Sequence, residues 1–398
     1  MSRKAQRIVV RRVDNLGDIV IALPVLEALR ANHPDALLFL MVKEAQQVLC
    51  KHIADAFLKP VDLERFPGIA RKYDLAYNVD YFHNKLQETK AHEHIRYINA
   101  VPGTKAKHIG SHLLDGVRIH GLRYSPARVP SFPISSELRR TAVAVVHSAN
   151  VLPKRSMWIG VHVGSREPMK CWPVEKYIKL ARWLHTAFGA HLFFFGTPGE
   201  SSSINAVYGS LPPGTATKFV GEPLDIVAAL LARMDFIIGN DSGISHLAAA
   251  VRTPTVSLFG PTSPVLWRPA GNRSILVLRP LPSTSKKSST PIPLQTVAQV
   301  KQGVLLCIQK HVNRTKFSVL DVLRISDTID IERTSKGTIV RSSKRGSACL
   351  VQDGWLRVKS ILKAVEKHQS YSATLHLFPD AGALLDIFIL HGIILQGR

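Results

Sequence analysis

The most constraining feature of this sequence is a repeated alternation. A short run of apolar β-formers ends in a turn, and a segment with apolar residues at helical spacing follows. Residues 7–13 (RIVVRRV) predict a strand, and 18–30 predict a helix with Ile19, Ala22, Leu23, Leu26 and Leu29 on one face. His33-Pro34 ends that helix; 37–42 (LLFLMV) predict a second strand and 74–79 a third. Alternation of this kind builds a parallel sheet covered by helices. Between about 124 and 156 it weakens, punctuated by Pro126, Pro130, Pro133 and Pro153, and this stretch reads as an interdomain linker. It then restarts with strands over 158–163, 191–195, 236–239 and 255–259 and helices over 174–188, 224–234 and 244–251. The predicted fold is α/β, with two Rossmann-like domains facing a cleft and ligands beyond the carboxyl ends of the strands.

After Arg279 the character changes. Residues 282–290 (PSTSKKSST) form a polar, basic linker, 296–311 fit one amphipathic helix, and no βα pattern follows Asn313. The expected division is therefore 1–150, 151–311 and an unassigned tail, 312–398, in keeping with a length of 398 residues.

Charge narrows the partners. With 52 Lys+Arg against 29 Asp+Glu, the formal charge is +23, which favours nucleotides, phosphorylated sugars, an anionic membrane face or nucleic acid. A nucleic-acid stripe would interleave aromatics with its cations. Here aromatics such as Phe193, Phe194 and Phe195 fall inside predicted strands, so no nucleic acid is expected. Cys50, Cys171, Cys307 and Cys349 lack disulfide-scaffold or metal-ligand spacing and suit a reduced, cytosolic protein. No signal peptide is expected at the start. The longest apolar stretch, 381–395, falls short of the roughly 20 residues of a membrane span and contains Asp386 and His391. His92-Glu93-His94, with His83 and His108, offers no convincing ligand spacing either, so no metal is expected.

Three segments carry chemistry. Asn15-Leu16-Gly17-Asp18 closes a strand and opens a helix; Asp18 is either a helix cap or a carboxylate placed to take a proton from an acceptor hydroxyl. Gly239-Asn240-Asp241-Ser242-Gly243-Ile244-Ser245-His246 is either an ordinary βα turn or an anion site, in which small residues bring a diphosphate to helix N-terminal amides. A second Gly/Pro/Thr loop, Phe259-Gly260-Pro261-Thr262, follows on the same sheet edge. In His162–Pro173, Lys170 and Arg166 are either solvated cations or neutralise a leaving phosphate, with Ser165 as a hydrogen-bond donor.

Taken in order, the strand–NLGD–helix start, Gly-Ser…Lys-x-Trp-Pro, Phe-Gly-Thr-Pro-Gly-Glu, Asn-Asp-Ser-Gly-Ile-Ser-His-Leu-Ala-Ala-Ala and Phe-Gly-Pro-Thr-Ser-Pro resemble glycosyltransferase family 9. These are the lipopolysaccharide heptosyltransferases, of GT-B fold, and the likeness runs from about Ile8 to Arg279. It implies inverting transfer from ADP-heptose to the lipopolysaccharide inner core, without metal or other cofactor. Asp18 would be the general base and Lys170 would contact the donor diphosphate. Asp241, Ser242, Gly243 and His246 would form the donor turn, Glu200 would hold the adenosine ribose, and Ser165 would lie in the phosphate-contacting loop. The first domain would bind the acceptor, where Lys85, Lys90, Lys105 and Lys107 would meet phosphorylated sugars. The location implied is cytoplasmic, peripheral to the anionic face of the inner membrane. Two departures stand out: Asp-Ser-Gly replaces the more frequent Asp-Thr-Gly, and residues 313–398 match nothing in the family. Family members commonly return their closing helix to the first domain. Two other readings stay open: a different nucleotide-sugar or acceptor, and a non-catalytic basic binding protein on a degenerate GT-B fold.

Overall fold

The computed structural model describes residues 6–80, 95–99, 108–124, 129–149, 157–271, 274–278 and 295–312, together with short segments of the tail. The first half holds a parallel sheet of β1 (Arg7–Arg11), β2 (Leu37–Met41), β3 (Ala56–Leu58), β4 (Leu75–Asp80) and β5 (Ile95–Asn99), in the order β3-β2-β1-β4-β5. Its helices are α1 (Leu16–Asn32), α2 (Phe66–Ala70), α3 (Ile109–Ile119) and α4 (Ser136–Ser148). Strand β1 alternates as a two-sided strand must: Ile8 and Val10 face α1, while Val9 joins Met41, Phe66, Ala70, Ala76 and Ile95 on the other face.

Helix α1 differs from the one-faced helix expected. Val20, Ile21 and Val25 are buried as fully as Ile19, Leu23 and Leu26. An all-round apolar helix is one with neighbours on every side, and α1 lies between its own sheet and the second half of the chain. The stretch expected as a linker is not extended throughout. Ser135 caps α4, its hydroxyl accepting the Leu138 N–H at 3.1 Å, and Ala142 and Val146 are buried.

The second half repeats the plan with β6 (Trp158–His162), β7 (His191–Gly196), β8 (Ala216–Val220), β9 (Phe236–Asn240), β10 (Thr255–Phe259) and β11 (Ser274–Leu278), all parallel, in the order β11-β10-β9-β6-β7-β8. Strands β6, β9 and β10 are buried at every position, as expected of strands covered on both faces. The helices are α5 (Val174–Phe188), α6 (Ser201–Tyr208), α7 (Leu224–Leu231), α8 (Gly243–Ala250), α9 (Pro264–Trp267) and α10 (Val297–His311). Val300, Val304, Cys307 and Ile308 of α10 join the core of this second sheet. The other face of that sheet shares one continuous apolar core with the first half, Trp158, Phe193, Leu230 and Leu247 packing with Ile8, Ile19, Leu23 and Leu113. No helix among the described residues is long and apolar enough to cross a membrane.

Where the tail is described, it is mostly antiparallel β. Strands β13 (Ile329–Thr334), β14 (Gly337–Ser342) and β15 (Ser347–Val351) form an antiparallel sheet, and β12 (Leu323–Ile325) pairs with β16 (Ile394–Gln396). Thr334 pairs with Gly337, a two-residue hairpin spacing that a search for βα periodicity passes over.

His108 ties the halves together at the start of α3. Its Nδ1 accepts the Gly110 N–H at 3.1 Å, so Nε2 carries the proton donated to the Arg268 carbonyl at 2.8 Å. Burial lowers its pKa to about 4; the bond to Arg268 opposes this, and the charges of Arg268, His246 and His112 add to it. Unfolding frees a group titrating near 6.5, so the contribution is complete above that pH and is lost as pH falls towards 4. The expected loss is up to about 3 kcal/mol. Urea unfolding of the full chain at pH 7.5, 5.5 and 4.5 should show a steeper decline for the native protein than for His108→Gln. Parallel declines would remove His108 from the pH dependence.

Candidate active site

Each sheet reverses its strand order once, between β1 and β4 in the first and between β6 and β9 in the second. Crevices at such switch points, beyond the carboxyl ends of the strands, are where open α/β sheets bind ligands. The segment after β1 carries Asp18, and those after β6 and β9 carry Lys170 and Asp241.

Asp18 sits in the first turn of α1. Its Oδ2 accepts the Asn15 N–H at 3.2 Å, and its Oδ1 lies 3.9 Å from Arg12 Nη2. Asn15 is the N-cap, and Asp18, at the third position of the helix, completes a capping box with it while its side chain stays 21% exposed. Arg12 is buried and pins the loop, reaching Asp14 Oδ2 and the Val79 carbonyl through Nη1 at 3.0 and 3.1 Å and the Asp18 carbonyl through Nη2 at 3.3 Å.

In the second half, Lys170 ends a short 3-10 turn, Pro168–Lys170. Its Nζ lies 3.3 Å from Asp241 Oδ2 and 3.5 Å from Glu167 Oε1. Asp241 is buried, and the same Oδ2 accepts the Thr262 hydroxyl at 2.6 Å. Asn240 sets this geometry from below. Its Oδ1 accepts the Trp172 N–H and the Tyr177 hydroxyl, both at 3.0 Å, and its Nδ2 donates to the Val163 and Gly164 carbonyls at 2.9 and 3.0 Å. Four satisfied bonds on a fully buried amide hold the loop after β6 against the turn after β9, each worth roughly 1 kcal/mol net and more to leave unmade. Ser242 starts α8 with its hydroxyl buried and without a hydrogen-bond partner among the described residues.

Ser165 lies on the same loop, its hydroxyl accepting the Glu167 N–H at 3.4 Å. Glu200 follows β7; its Oε2 accepts from the Thr197 N–H and hydroxyl at 2.7 and 2.9 Å, and its Oε1 lies 3.8 Å from His162 Nε2. It lies directly over Gly164, where a Cβ would come within 1.7 Å of that Oε1. His246, one turn into α8, is buried, and burial lowers its pKa. The Asp241 and Asp18 carboxylates pull the other way and Lys170 adds to the lowering, so one imidazole senses both halves of the chain.

The halves also bond directly. Arg166 Nη1 donates to Asn15 Oδ1 at 2.7 Å, and Lys43 Nζ reaches the same oxygen at 3.5 Å. Asp18 of the first half and the Lys170–Asp241 pair of the second thus both act on the His246 imidazole, Ser242 and Gly243 lie on the turn between Asp241 and His246, and Ser165 and Glu200 lie on loops of the second half. Arg12, Asn240 and Thr262 were not among the expected site residues. Asn240 had its place directly before the Asp-Ser-Gly turn and Thr262 its place in the Gly/Pro/Thr loop as sequence signals; Arg12, one of three Arg in residues 7–13, had none. Lys85, Lys90, Lys105 and Lys107 lie outside the described residues, as do His83, His92, Glu93 and His94.

The same region carries the likeness to known proteins. Residues 123–294 match the family described as glycosyltransferase family 9 (heptosyltransferase). Over these residues the chain is similar to glycosyltransferase family 9. Lipooligosaccharide heptosyltransferase 2 of Haemophilus influenzae is 32% identical over 114 residues, 28% of this chain and 33% of that protein. The chain matches about a third of the length of such curated relatives. Among solved structures, the family 9 glycosyltransferase of Veillonella parvula superposes with a TM-score of 0.64 at 20% identity, over 78% of this chain and 99% of that one. The ADP-heptose lipopolysaccharide heptosyltransferase II of E. coli gives 0.61 at 19% identity, over 76% and 99%. Likeness at this level establishes the fold, which is the GT-B arrangement of two Rossmann-like halves. The family 9 match begins at 123 and so includes α4, in the stretch read from sequence as a linker.

Proposed function

We propose that this chain is an inverting glycosyltransferase that moves a heptose from ADP-heptose to the lipopolysaccharide inner core. In this reading residues 1–150 receive the acceptor, 151–311 bind the donor, and no metal or other cofactor takes part. Asp18 takes the proton of the acceptor hydroxyl as its oxygen bonds to the anomeric carbon. The bond from that carbon to the diphosphate oxygen breaks on the opposite face, and ADP leaves with the electron pair. Lys170 and the first amides of α8 receive the charge that develops on the diphosphate. Asp241 cannot itself attract an anion; its part is to hold Lys170 and, with Thr262, the turn. Ser165 faces the phosphates, Ser242 and Gly243 admit them, and His246 lies between the two sides. Glu200 takes the ribose hydroxyls, for which a carboxylate is a good acceptor.

The observation that carries this reading is that Asp18 and the Lys170–Asp241 pair both act on the buried His246 imidazole, with Arg166 bonded to Asn15 between the halves. The nucleotide is supported by the ADP-heptose enzyme among the structural neighbours. Calorimetry with ADP, UDP and GDP is the test, and ADP is expected to bind at least about tenfold more tightly, some 1.4 kcal/mol. Preference for UDP or GDP would point to another nucleotide-sugar. Absence of binding by all three would leave a non-catalytic basic protein.

An acceptor built on a lipid brings the enzyme to the cytoplasmic face of the membrane. The charge of +23, with Lys85, Lys90, Lys105 and Lys107 in the acceptor half, supports reversible attachment there. Each basic side chain near an anionic surface contributes about 1 kcal/mol, screened over about 8–10 Å. Sedimentation with phosphatidylglycerol vesicles should decline steeply as salt rises. Salt-independent binding would exclude an electrostatic attachment, and no binding at low salt would remove the membrane from the account.

A further inference from the structure

The N-termini of α1 and α8 approach more closely than side chains permit. A Cβ on Gly243 would lie 2.6 Å from Leu16 Cβ, 2.8 Å from Leu16 Cγ and 2.9 Å from the Gly17 backbone nitrogen. From the other side, a Cβ on Gly17 would lie 3.0 Å from His246 Cδ2 and 3.6 Å from Gly243 Cα. Every neighbour that would crowd Gly243 belongs to the other half of the chain. One is backbone, which no rotamer change moves aside.

Nothing local asks for glycine at this position. Gly243 is not among the glycines with positive φ, and it is the first residue of a helix, a position that does not require glycine's backbone freedom. The missing side chain answers to the segment across the crevice. That segment is Leu16-Gly17, immediately before Asp18, and Gly243 itself belongs to the turn read as the donor site. We infer that Gly243 is a positioning residue for the transfer: by lacking a side chain it sets the spacing between the Asp18 helix and the donor turn. The inference rests on the reading of Asp18 as base and of this turn as donor site.

Ordinary contact begins at 3.4 Å, so alanine at 243 would part the two helix starts by about 0.8 Å along this line. Misplacement of about 1 Å costs a reaction on the order of a hundredfold. The effect would reach the chemical step first, because the Lys170–Asp241–Thr262 contacts lie within the second half and move with the turn.

The test is a double-mutant cycle in the full chain: Gly243→Ala, Leu16→Gly, and both together. Gly243→Ala is expected to lower kcat at least about tenfold, with ADP affinity by calorimetry falling less than about threefold. Leu16→Gly alone should stay within about threefold of the native rate, and the double variant should recover part of the lost kcat, since the two Leu16 contacts go while the 2.9 Å approach to the Gly17 nitrogen remains. Three results would overturn the inference: native kcat in Gly243→Ala, a double variant no faster than Gly243→Ala, or ADP affinity falling as far as kcat. The last would mean that admitting the diphosphate is the glycine's whole part and that it does not set the spacing. Thermal unfolding of the same four proteins separates this failure from that of the function. If Leu16→Gly relieves the destabilisation by Gly243→Ala while the native chain transfers no sugar, the function is wrong, and the catalytic role falls with it. If the stability effects simply add, the close contact itself is wrong.

Discussion

Asparagine in place of Asp18 is expected to lower turnover at least about a hundredfold while leaving the fold and ADP affinity in place. The substitution separates two roles that the geometry superimposes. Asn has nearly the shape of Asp and keeps an oxygen that can accept the Asn15 N–H, so the cap survives. What it loses is a carboxylate able to accept a proton. It also loses a negative charge at a helix N-terminus and beside Arg12, a stability cost of about 0.3–1 kcal/mol. Thermal unfolding, ADP calorimetry and kcat on the one variant therefore read three different things. A small shift in unfolding, unchanged ADP affinity and collapsed kcat is the pattern of a base. Near-native kcat would leave Asp18 as a helix cap and nothing more.

The second large effect is expected at Lys170. Removing its ammonium with alanine should weaken ADP binding by about 1.5–3 kcal/mol, the range for a hydrogen bond to a charged group, or roughly 10- to 150-fold. The same substitution leaves the buried Asp241 carboxylate facing Thr262 without its cation, so stability should fall as well. Asp241→Asn probes the pair from the other end, since it can keep a hydrogen bond to Thr262 but no longer anchors Lys170 by charge. If Asp241 acts through Lys170, the double variant should lose less ADP affinity than the two single losses added together. Calorimetry that finds ADP binding intact in both single variants would take this pair out of the donor site.

Much of the candidate site can be picked out from the sequence for a local reason. Asp18, Lys170 and Asp241 each follow a strand, and the strand–turn–helix pattern announces a carboxyl-end loop without tertiary information; Glu200 came only from the family resemblance. The residues that hold those side chains in place were not legible. Asn240 earns its role through partners 63 to 77 positions away in the chain. Arg12 reaches Val79 across the sheet, 67 positions on. A buried polar residue looks the same in a sequence whether or not its partners are in reach.

Period alone placed the seven inner strands of the two parallel sheets, because apolar alternation and helical recurrence are properties of neighbouring residues; it passed over the four edge strands, β3, β5, β8 and β11. The 174–188 helix and the 255–259 strand fall where that pattern puts them. The antiparallel tail and α4 were passed over, since one obeys a two-residue period and the other lies among prolines. Tertiary packing decided the rest. It buried α1 on all sides and joined two βα halves into one core. It brought Leu16-Gly17 against Gly243, a contact across 226 residues of chain that no local period encodes. The physical reason is that burial, charge pairing and close approach are properties of pairs in space, and those pairs form only when the two sheets are folded against each other.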